Sequence, residues 1–490
     1  MNRASEAHKY HSPPDTDVAL NPVRWRILAV LLTAQFMSLV SVSILNVVLP
    51  ALQTGLDATE SDLQWVLSGY ALAFGIVLVA AGRIGDIYGR EILFLLGIGL
   101  FISASLAAGL AHDAFALNLA RVVQGLGSGL MNPQIMGIIQ QNFKGRERGR
   151  AYGMLGTIAG ASVAVGPLLG GAFVALLGTD LGWRSTFWIN VPIGLLIILL
   201  GLVWFPRASF RKRRREHGEV PVRDLDPIGA LLLATGIFMV LFPIVQGRES
   251  TWVWFLSPLG PGLIVSWVFW ELAYKKRNRS PMINLELFRI RSFSYGSIVG
   301  GLYYLGATSV WVLVAIYTQQ AYDFSAVHAG LLGLPSAILA ALGSAWAGKR
   351  VTDYGRKIVI AGTYFALCGL SLSVAAIYLH HLVGLSLWWL LLTLSLMGVA
   401  QGTIISPNQA LTMMEIPPEH AGSAGGLVQT FQRVGTAVGV AVMTAIFYVA
   451  LPSLGWDHAM SISFGAIGLV ILLTLIVGKM DQRARGKITK

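Results

Sequence analysis

Two arginines, Arg121 and Arg433, lie inside long apolar stretches of the sequence, where a charged side chain is costly and usually serves a function. Polar residues accompany each arginine at helical spacing, so each arginine shares one face of a predicted helix with amides and hydroxyls. These residues are Gln124, Ser128 and Asn132 around the first arginine, and Gln429, Gln432 and Thr436 around the second. The pattern indicates a water-accessible cavity between helix bundles. The alternative is that each arginine is a structural clamp that donates to neighbouring carbonyl groups.

The sequence offers few residues for catalysis or metal binding. All nine histidines map to tails, loops or the ends of apolar stretches, so a histidine-based metal site or proton relay lacks its residues. The carboxylates also map to loops and ends, with Asp226 and Glu271 at the ends of two stretches. No G-x-x-x-x-G-K-[ST] motif is present, which excludes ATP hydrolysis by a P-loop. We therefore expect no enzyme activity, no metal and no cofactor.

The single cysteine, Cys368, cannot form an internal disulfide or a cysteine-ligated metal site. It lies in an apolar run, which predicts a small buried thiol.

The composition indicates that the elements that position these residues are membrane helices. Of the 490 residues, 55% are hydrophobic and 12% are charged, whereas about 25% are charged in an ordinary soluble domain. The net charge of +12 does not indicate a nucleic-acid partner, because the basic residues lie between apolar segments. A spanning helix needs about 20 apolar residues, so the chain has room for a dozen or more spans and for no large soluble domain.

Fourteen apolar stretches are candidate transmembrane helices, which predicts an all-α integral membrane protein. They cover residues 27–49, 62–82, 92–111, 114–138, 150–177, 185–205, 227–246, 256–274, 293–319, 328–347, 357–379, 386–410, 422–451 and 459–478. The first 26 residues are polar, and we expect a short tail with no cleavable signal before the first span.

A repeat divides these spans into two halves. Gly82-x-x-x-Asp86-x-x-Gly89-Arg90 follows the second span, and the stretch from Gly348 to Gly355-Arg356 repeats its glycine spacing after the tenth. Two pseudo-symmetric six-helix bundles, with substrate handled at their interface, are typical of transporters. The predicted division is a cytoplasmic tail (1–26), an N-terminal bundle (27–205), a basic cytoplasmic loop (206–225), two inserted transmembrane helices (226–274), a cytoplasmic linker (275–292), a C-terminal bundle (293–478) and a cytoplasmic tail (479–490).

The positions of Lys and Arg predict the orientation, because short basic loops are rarely translocated. With both termini in the cytoplasm, the inner segments hold 32 of the 36 basic residues, and the outer loops hold only Arg184 and Arg248. We therefore expect a multi-pass protein of the cell membrane. The basic run from Arg211 to Arg215 is interpreted as a topology anchor, with an anionic-lipid site as the alternative.

After residue 24, the chain resembles the fourteen-span drug:proton antiporters of the major facilitator superfamily over nearly its whole length. The family's loop motif is matched by Gly82, Asp86, Gly89 and Arg90, and its fourth-span motif by Arg121, Gln124, Gly125 and Gly127. Its fifth-span antiporter motif is similar to Gly153, Gly166, Pro167, Gly170 and Gly171, with Ser162 where glycine is usual.

This resemblance implies a secondary-active, proton-driven exporter of amphipathic organic compounds that works by alternating access. We expect a monomer whose partners are the lipid bilayer, protons and a small amphipathic substrate. Coupling and gating are assigned to Gly82, Asp86, Gly89, Arg90 and Arg121, and close helix packing to the fifth-span motif. The predicted substrate cavity comprises Gln35, Asn46, Tyr70, Gln124, Asn132, Tyr303, Trp311, Gln319, Gln429 and Arg433.

Two departures from the family pattern bear on the substrate and on the repeat. The family usually has an acid in the first span, eight or nine positions before an Asn-x-x-Leu-Pro element; here that element is Asn46 to Pro50, and Ser41 takes the acid's place. Without the acid the cavity is poorly suited to a lipophilic cation, which leaves a lipid or anionic-metabolite exporter as an alternative. A membrane sensor or assembly protein without transport is an alternative of another class. In the second half, Thr352 stands where aspartate would align, with Asp353 one place on.

Overall fold

The protein is described by a computed structural model that covers residues 22–206, 225–247, 251–277, 279–324 and 326–486. Every regular element in these ranges is helical, so the prediction of an all-α fold is confirmed for them. The basic run 211–215, most of the predicted N-terminal tail and of the basic loop, and residues 487–490 of the predicted C-terminal tail lie outside these ranges. The α-helices are α1 (Val23–Ser43), α2 (Leu45–Leu56), α3 (Glu60–Tyr88), α4 (Arg90–Gly109), α5 (Ala114–Asn142), α6 (Gly145–Trp188), α7 (Asn190–Trp204), α8 (Pro227–Gln246), α9 (Leu259–Lys276), α10 (Arg291–Tyr322), α11 (Ala326–Tyr354), α12 (Arg356–Val383), α13 (Trp389–Met413) and α14 (Ala421–Gly486). Three 3₁₀ helices cover Thr251–Leu256, Leu285–Arg289 and Pro418–His420.

Eleven stretches of the described residues are long and apolar enough to cross a membrane. Two of them, with 60 and 66 residues, are about three times as long as the roughly 20 residues that one crossing needs. Each of these contains one glycine with a non-helical backbone, Gly178 in α6 and Gly455 in α14, both with φ of 78°. A side chain is disfavoured at this φ, and each glycine marks a kink between two helical segments.

Helix extends beyond several of the predicted spans. The first span was expected to end at residue 49, but after a break at Ile44 the chain is helical to Leu56. Apart from the non-helical Gly178 and Gly455, residues 178–184 and 452–458 are also helical, and the first of these segments contains the buried Trp183. Residues 479–486 of the predicted tail extend α14, where Asp481 is fully buried.

The helices pack as two halves with a separate pair between them in sequence. The first half is α1–α7, in which α5 packs against α3 and α4; the second is α10–α14, in which α10 packs against α14 and α13 against α11 and α12. The inserted pair, α8 and α9, packs together, and α8 also contacts α3 and α14. The halves contact each other mainly through α3 with α14 and α6 with α11.

The outer surface carries many large apolar side chains, as expected of a bundle that faces lipid. Phe115, Leu176, Phe255 and Val449 are each more than three-quarters exposed. Cys368 is also exposed, so the prediction of a buried thiol is wrong: its apolar run has a face outside the helix packing.

One end of the molecule, here called the basic end, carries the segments with Arg24, Arg90, Lys144–Arg150 and Lys349–Lys357. Contacts between these segments place them together. Arg24 forms an ion pair with Glu147 at 2.7 Å, and Arg146 forms one with Asp353 at 2.7 Å.

Candidate functional site

Asp86 joins the two halves at the basic end. It lies in the last turn of α3, and its side chain is 1% exposed. Its carboxylate accepts hydrogen bonds from the backbone N–H groups of Gly422 (2.9 Å) and Ser423 (2.8 Å) and from the Ser423 hydroxyl (2.7 Å). These residues begin α14, whose first N–H groups have no partner within the helix. The carboxylate therefore caps a helix of the opposite half at the positive end of its dipole.

Arg90 holds this carboxylate in place. Its Nη2 lies 2.5 Å from Asp86 Oδ1, and its Nη1 donates to the Gly137 carbonyl at 3.2 Å. It also donates to the carbonyl of Pro418, in the 3₁₀ helix that precedes α14. Gly89, with φ of 114°, separates α3 from α4 in a conformation that side chains disfavour, and so brings Arg90 beside Asp86. One buried ion pair thus binds α3, α5 and the start of α14.

Gly82 allows α3 and α14 to touch beside this ion pair. A Cβ on Gly82 would overlap the backbone of Gly422, and one on Gly422 would lie 2.6 Å from the Gly82 carbonyl oxygen. A Cβ on Gly426, one turn further along α14, would lie 2.6 Å from the Leu78 carbonyl oxygen. The four loop-motif residues are therefore all at this contact between the halves.

A second glycine contact between the halves joins α6 to α11. A Cβ on Gly153 would lie 2.8 Å from the Cα of Gly348, and one on Gly160 would lie 2.9 Å from the backbone nitrogen of Ala341. The ion pair between Arg146 and Asp353 crosses the same contact at the surface, with side chains 73% and 43% exposed. The halves are thus packed closely on both sides of the basic end.

The other residues of the fifth-span motif lie within the first half. A Cβ on Gly166 would overlap the Ser43 hydroxyl, and one on Gly170 would lie 3.0 Å from the Ile44 carbonyl oxygen. Both glycines therefore pack against the break between α1 and α2. Pro167 lies inside α6, and a Cβ on Gly171 would meet no atom within 4 Å. Only Gly153 of this motif is at the contact between the halves.

Arg121 is fully buried in a polar network inside the first half. Its Nε donates to the Val66 carbonyl at 2.9 Å, and its Nη1 donates to the Gln124 side chain. Gln124 in turn donates to the hydroxyls of Ser105 (2.6 Å) and Ser41 (3.2 Å). Nη2 of Arg121 has no hydrogen-bond partner among the described residues. The arginine is partly a clamp on one carbonyl, and it also keeps an unused buried donor, which is costly.

A stack of rings connects Arg121 to Arg433. The Arg121 guanidinium carbon lies 4.3 Å from the centre of the Tyr70 ring, and Tyr70 stacks on Phe74 at 6.2 Å with 5° between the rings. The Arg433 guanidinium carbon lies 4.5 Å from the centre of the Phe74 ring. Arg433 belongs to α14 and the other three to the first half, so this cation–π stack crosses between the halves. Phe74 was not predicted as a site residue, although its position one turn after Tyr70 could have indicated it.

The hydrogen bonds of Arg121 and those of Ser128 form one polar network only through the contact of the Arg121 guanidinium with the Tyr70 ring. Of the predicted cavity residues, Tyr70, Gln124 and Asn132 belong to this network. The Ser128 hydroxyl accepts hydrogen bonds from Tyr70 (2.8 Å) and Asn132 (3.3 Å) and shares one with the Ser38 hydroxyl (2.6 Å). Ser38 was not predicted as a site residue. Gln35, Tyr303, Trp311, Gln319 and Gln429 are half-buried or buried, Asn46 is exposed, and none of these six is hydrogen-bonded to that network.

Arg356 repeats the position of Arg90 but has a different partner. It forms hydrogen bonds with the carboxylate of Asp481 and the amide oxygen of Asn408, in a site where the arginine and aspartate side chains are 1% and 0% exposed. The acid comes from the end of α14 rather than from position 352. The first ion pair therefore reaches the opposite half, whereas the second stays within its own.

Known proteins resemble this chain along most of its length. Residues 31–440 match the Major Facilitator Superfamily. The "Probable actinorhodin transporter" of Streptomyces coelicolor is 32% identical over 437 residues, which are 88% of this chain and 73% of the relative. The puromycin resistance protein pur8 of Streptomyces alboniger is 30% identical over 455 residues, 90% of this chain and 85% of the relative. The human organic anion transporter MFSD10 (TETRAN) is similar in fold, with a TM-score of 0.67 over 94% of this chain and 100% of its own, at 16% identity.

Proposed function

The chain belongs to the Major Facilitator Superfamily and is therefore a transporter rather than an enzyme, and from this premise we propose that it is a proton-coupled exporter of amphipathic organic compounds. The observation that carries the proposal is the Asp86–Arg90 pair, a buried charge that binds one half to the helix start of the other. Such a contact can form in one state and be released in another. The relatives named for transport of actinorhodin and for resistance to puromycin support the substrate class.

Fourteen membrane crossings are the number we assign. The two overlong stretches, divided at Gly178 and Gly455, supply two crossings each, so the eleven apolar stretches give thirteen. The fourteenth is α5, which has 29 residues but carries the polar side chains of the Arg121 network. In this assignment two six-helix bundles enclose the transport path, and the inserted pair lies beside them.

The basic end is assigned to the cytoplasm, which places both termini there and the protein in the cell membrane. Its support is the count of basic residues, because charged loops are retained on the cytoplasmic side. We further propose that the transporter works as a monomer.

Alternating access provides the export mechanism. The close contacts of α3 with α14 and of α6 with α11 bring the halves together, and with the basic end assigned to the cytoplasm we propose that this state is closed on the cytoplasmic side. Release of Asp86 from the start of α14 would let the halves separate there and admit substrate from the cell. The glycines let the backbones of these helices approach closely in the closed state.

Coupling is assigned to Arg121 and its network, and substrate contact to the stack of Tyr70, Phe74 and Arg433. Arg121 is buried with one unused donor, so a change of charge nearby would alter its hydrogen bonds. Arg433 is exposed on α14 while it covers the ring of Phe74. A substrate that displaces this guanidinium from the ring would act on both halves at once.

A specific observation favours a second candidate, the export of anionic metabolites. Ser41 lies in the Arg121 network at the place where related exporters carry an acid, and it brings a hydroxyl rather than a carboxylate. The network therefore holds a cation with no acid hydrogen-bonded to it. An acidic substrate group would pair with an arginine there or at Arg433.

Purified protein in liposomes tests the proposal. When a pH gradient is imposed, we expect puromycin to accumulate against its own concentration gradient. This accumulation should stop when the pH gradient is collapsed. Empty liposomes control for passive movement of this weak base, and ethidium and an anionic dye of similar size distinguish the two substrate classes. Flux that ignores the pH gradient would contradict proton coupling, and absence of flux for all three probes would support a sensor or assembly protein instead.

A further inference from the structure

The inserted pair buries two carboxyl groups at its basic end. Asp226 immediately precedes α8 and Glu271 lies near the end of α9, and they are 0% and 1% exposed. A Cβ on Gly229 would overlap the Asp226 carboxylate and would lie 3.1 Å from Glu271 Oε1. Both acids therefore crowd the space beside one glycine. Two carboxylates buried so close together are strongly unfavourable when both are ionised.

Two tryptophans of α9 bind these carboxyl groups. Trp270 Nε1 donates to Asp226 Oδ1 at 2.9 Å, and the backbone N–H of Gly229 donates to the same oxygen at 2.9 Å. Trp267 Nε1 donates to Glu271 Oε1 at 2.9 Å. The backbone N–H groups of Met282 and Ile283 also face the Glu271 carboxyl group, but its buried Oε2 makes no hydrogen bond of ordinary geometry among the described residues. A poorly satisfied carboxylate of this kind is costly to bury, whereas a neutral carboxyl group loses far less.

Lys275, one turn after Glu271 on α9, is paired with the linker rather than with Glu271. Lys275 Nζ lies 2.8 Å from Glu286 Oε2 and 3.2 Å from Asn284 Oδ1, and the hydrogen bonds from Lys275 and Asn284 lower the pKa of the exposed Glu286. Asp226 is the charged group whose field acts on Glu271. Other charged side chains around the pair at this end are Lys276 and Arg277 on α9, Arg279 and Arg289 in the linker, Arg83 and Asp86 on α3, and Lys479, Asp481 and Arg483 on α14. Of these, Asp86 and Asp481 are bound to Arg90 and Arg356.

A cavity of about 400 Å³ connects Glu271 to the surface at the basic end. Its polar lining comprises Glu271, Lys275, Lys276, Asn284, Glu286 and Arg289, of which the two lysines, Glu286 and Arg289 are exposed. The buried acid therefore has a route for proton exchange with the solution.

We propose that Asp226 and Glu271 together hold one exchangeable proton, so that the inserted pair is a proton-binding element of the protein. Loss of this proton places two negative charges side by side and pushes α8 and α9 apart at the basic end. α8 packs on α3, where a Cβ on Gly75 would lie 3.3 Å from the side chain of Leu241. Protonation of the pair is thereby connected to the helix that carries Asp86. The role of this proton in transport rests on the proposed function, whereas the presence of the proton on the acid pair does not.

Infrared spectroscopy of the purified full-length protein, without substrate, tests this directly. At pH 7 we expect a carboxylic-acid C=O band in the wild type that is absent from Glu271→Gln and retained in Glu286→Gln, the matched change in the same cavity. In the wild type the band should disappear reversibly as the pH is raised, and it should return when the solution is acidified again. Trp267→Phe keeps both acids but removes one hydrogen bond, and it should shift the frequency of the band.

Identical acid bands in the wild type and Glu271→Gln would overturn the proposal. If Glu271→Gln does not fold, a band that is insensitive to Trp267→Phe, or the absence of any band in the wild type at pH 7, would overturn it equally. The measurement is independent of transport. A normal band with no flux in liposomes counts against the proposed function only, and gradient-driven flux with no band counts against this inference only.

Discussion

Replacement of Asp86 by asparagine is expected to shift the protein away from the state closed at the basic end. The carboxylate accepts three hydrogen bonds from the start of α14 and pairs with Arg90, and all of these contacts are buried. Asparagine has the same shape, but it brings no charge and turns an NH₂ group towards donors. A hydrogen bond to a charged group is worth about 1.5–3 kcal/mol, so we expect a net loss of about 3 kcal/mol in this state. This corresponds to roughly a hundredfold change in the ratio of closed to open molecules.

Distance measurements between spin labels on the two halves provide the assay. Labels at Lys144→Cys and Glu415→Cys, in a Cys368→Ala background, lie at exposed positions on opposite halves. The matched control is Asp353→Asn, which removes the exposed ion pair with Arg146 across the same end. An exposed pair contributes at most about 1 kcal/mol, so its removal should change the ratio less than tenfold.

We expect Asp86→Asn to lengthen the label distance and to slow transport while most of the protein still reaches the membrane. An unchanged distance distribution, together with equal losses of expression and flux, would refute the reasoning and make Asp86 a purely structural residue.

Three further predictions concern the buried network and the orientation. Arg121→Ala should abolish gradient-driven flux while the protein still inserts normally into the membrane. Arg121→Lys should retain part of the flux, because lysine keeps the charge but loses the planar donors that bind Gln124. Normal coupled export by the alanine variant would disprove the coupling role of Arg121. Ser41→Asp should raise the transport of ethidium relative to a neutral dye about tenfold, because the new acid would lie in the network that Gln124 connects to Arg121. Strong export of ethidium by the wild type would contradict the idea that the missing acid disfavours cations. Glu60→Cys should react with an impermeant thiol reagent in intact cells and Glu415→Cys should not, both without Cys368; the reverse pattern would invert the assigned orientation.

Composition and spacing predicted the all-α fold and the residues of the loop motif, because hydropathy and glycine positions are local signals. The kinks at Gly178 and Gly455 were not predictable in this way, since apolar and polar residues near each kink are also compatible with a loop. Asp481 was assigned to a tail because it follows the last apolar run. Only tertiary packing, which brings it to Arg356, makes it a buried ion pair.

The candidate site was predictable where partners share one helix face, and not where they come from different helices. Helical spacing brought Gln124 to Arg121 and Asn132 to Ser128, and the structure adds Ser41, Ser105 and Val66 from three other helices. The ring stack to Arg433 depends on how α3 meets α14. That geometry is set by glycine contacts between the halves, whose partners a single sequence does not specify.

Proton movement driven by a substrate gradient tests the central claim most directly. Liposomes that contain the purified protein and a pH-sensitive dye receive a puromycin gradient with no imposed pH difference. We expect proton flow in the direction opposite to puromycin flow, above the level in empty liposomes and lost in Arg121→Ala. Puromycin movement through the wild-type protein with no accompanying proton flow would contradict it.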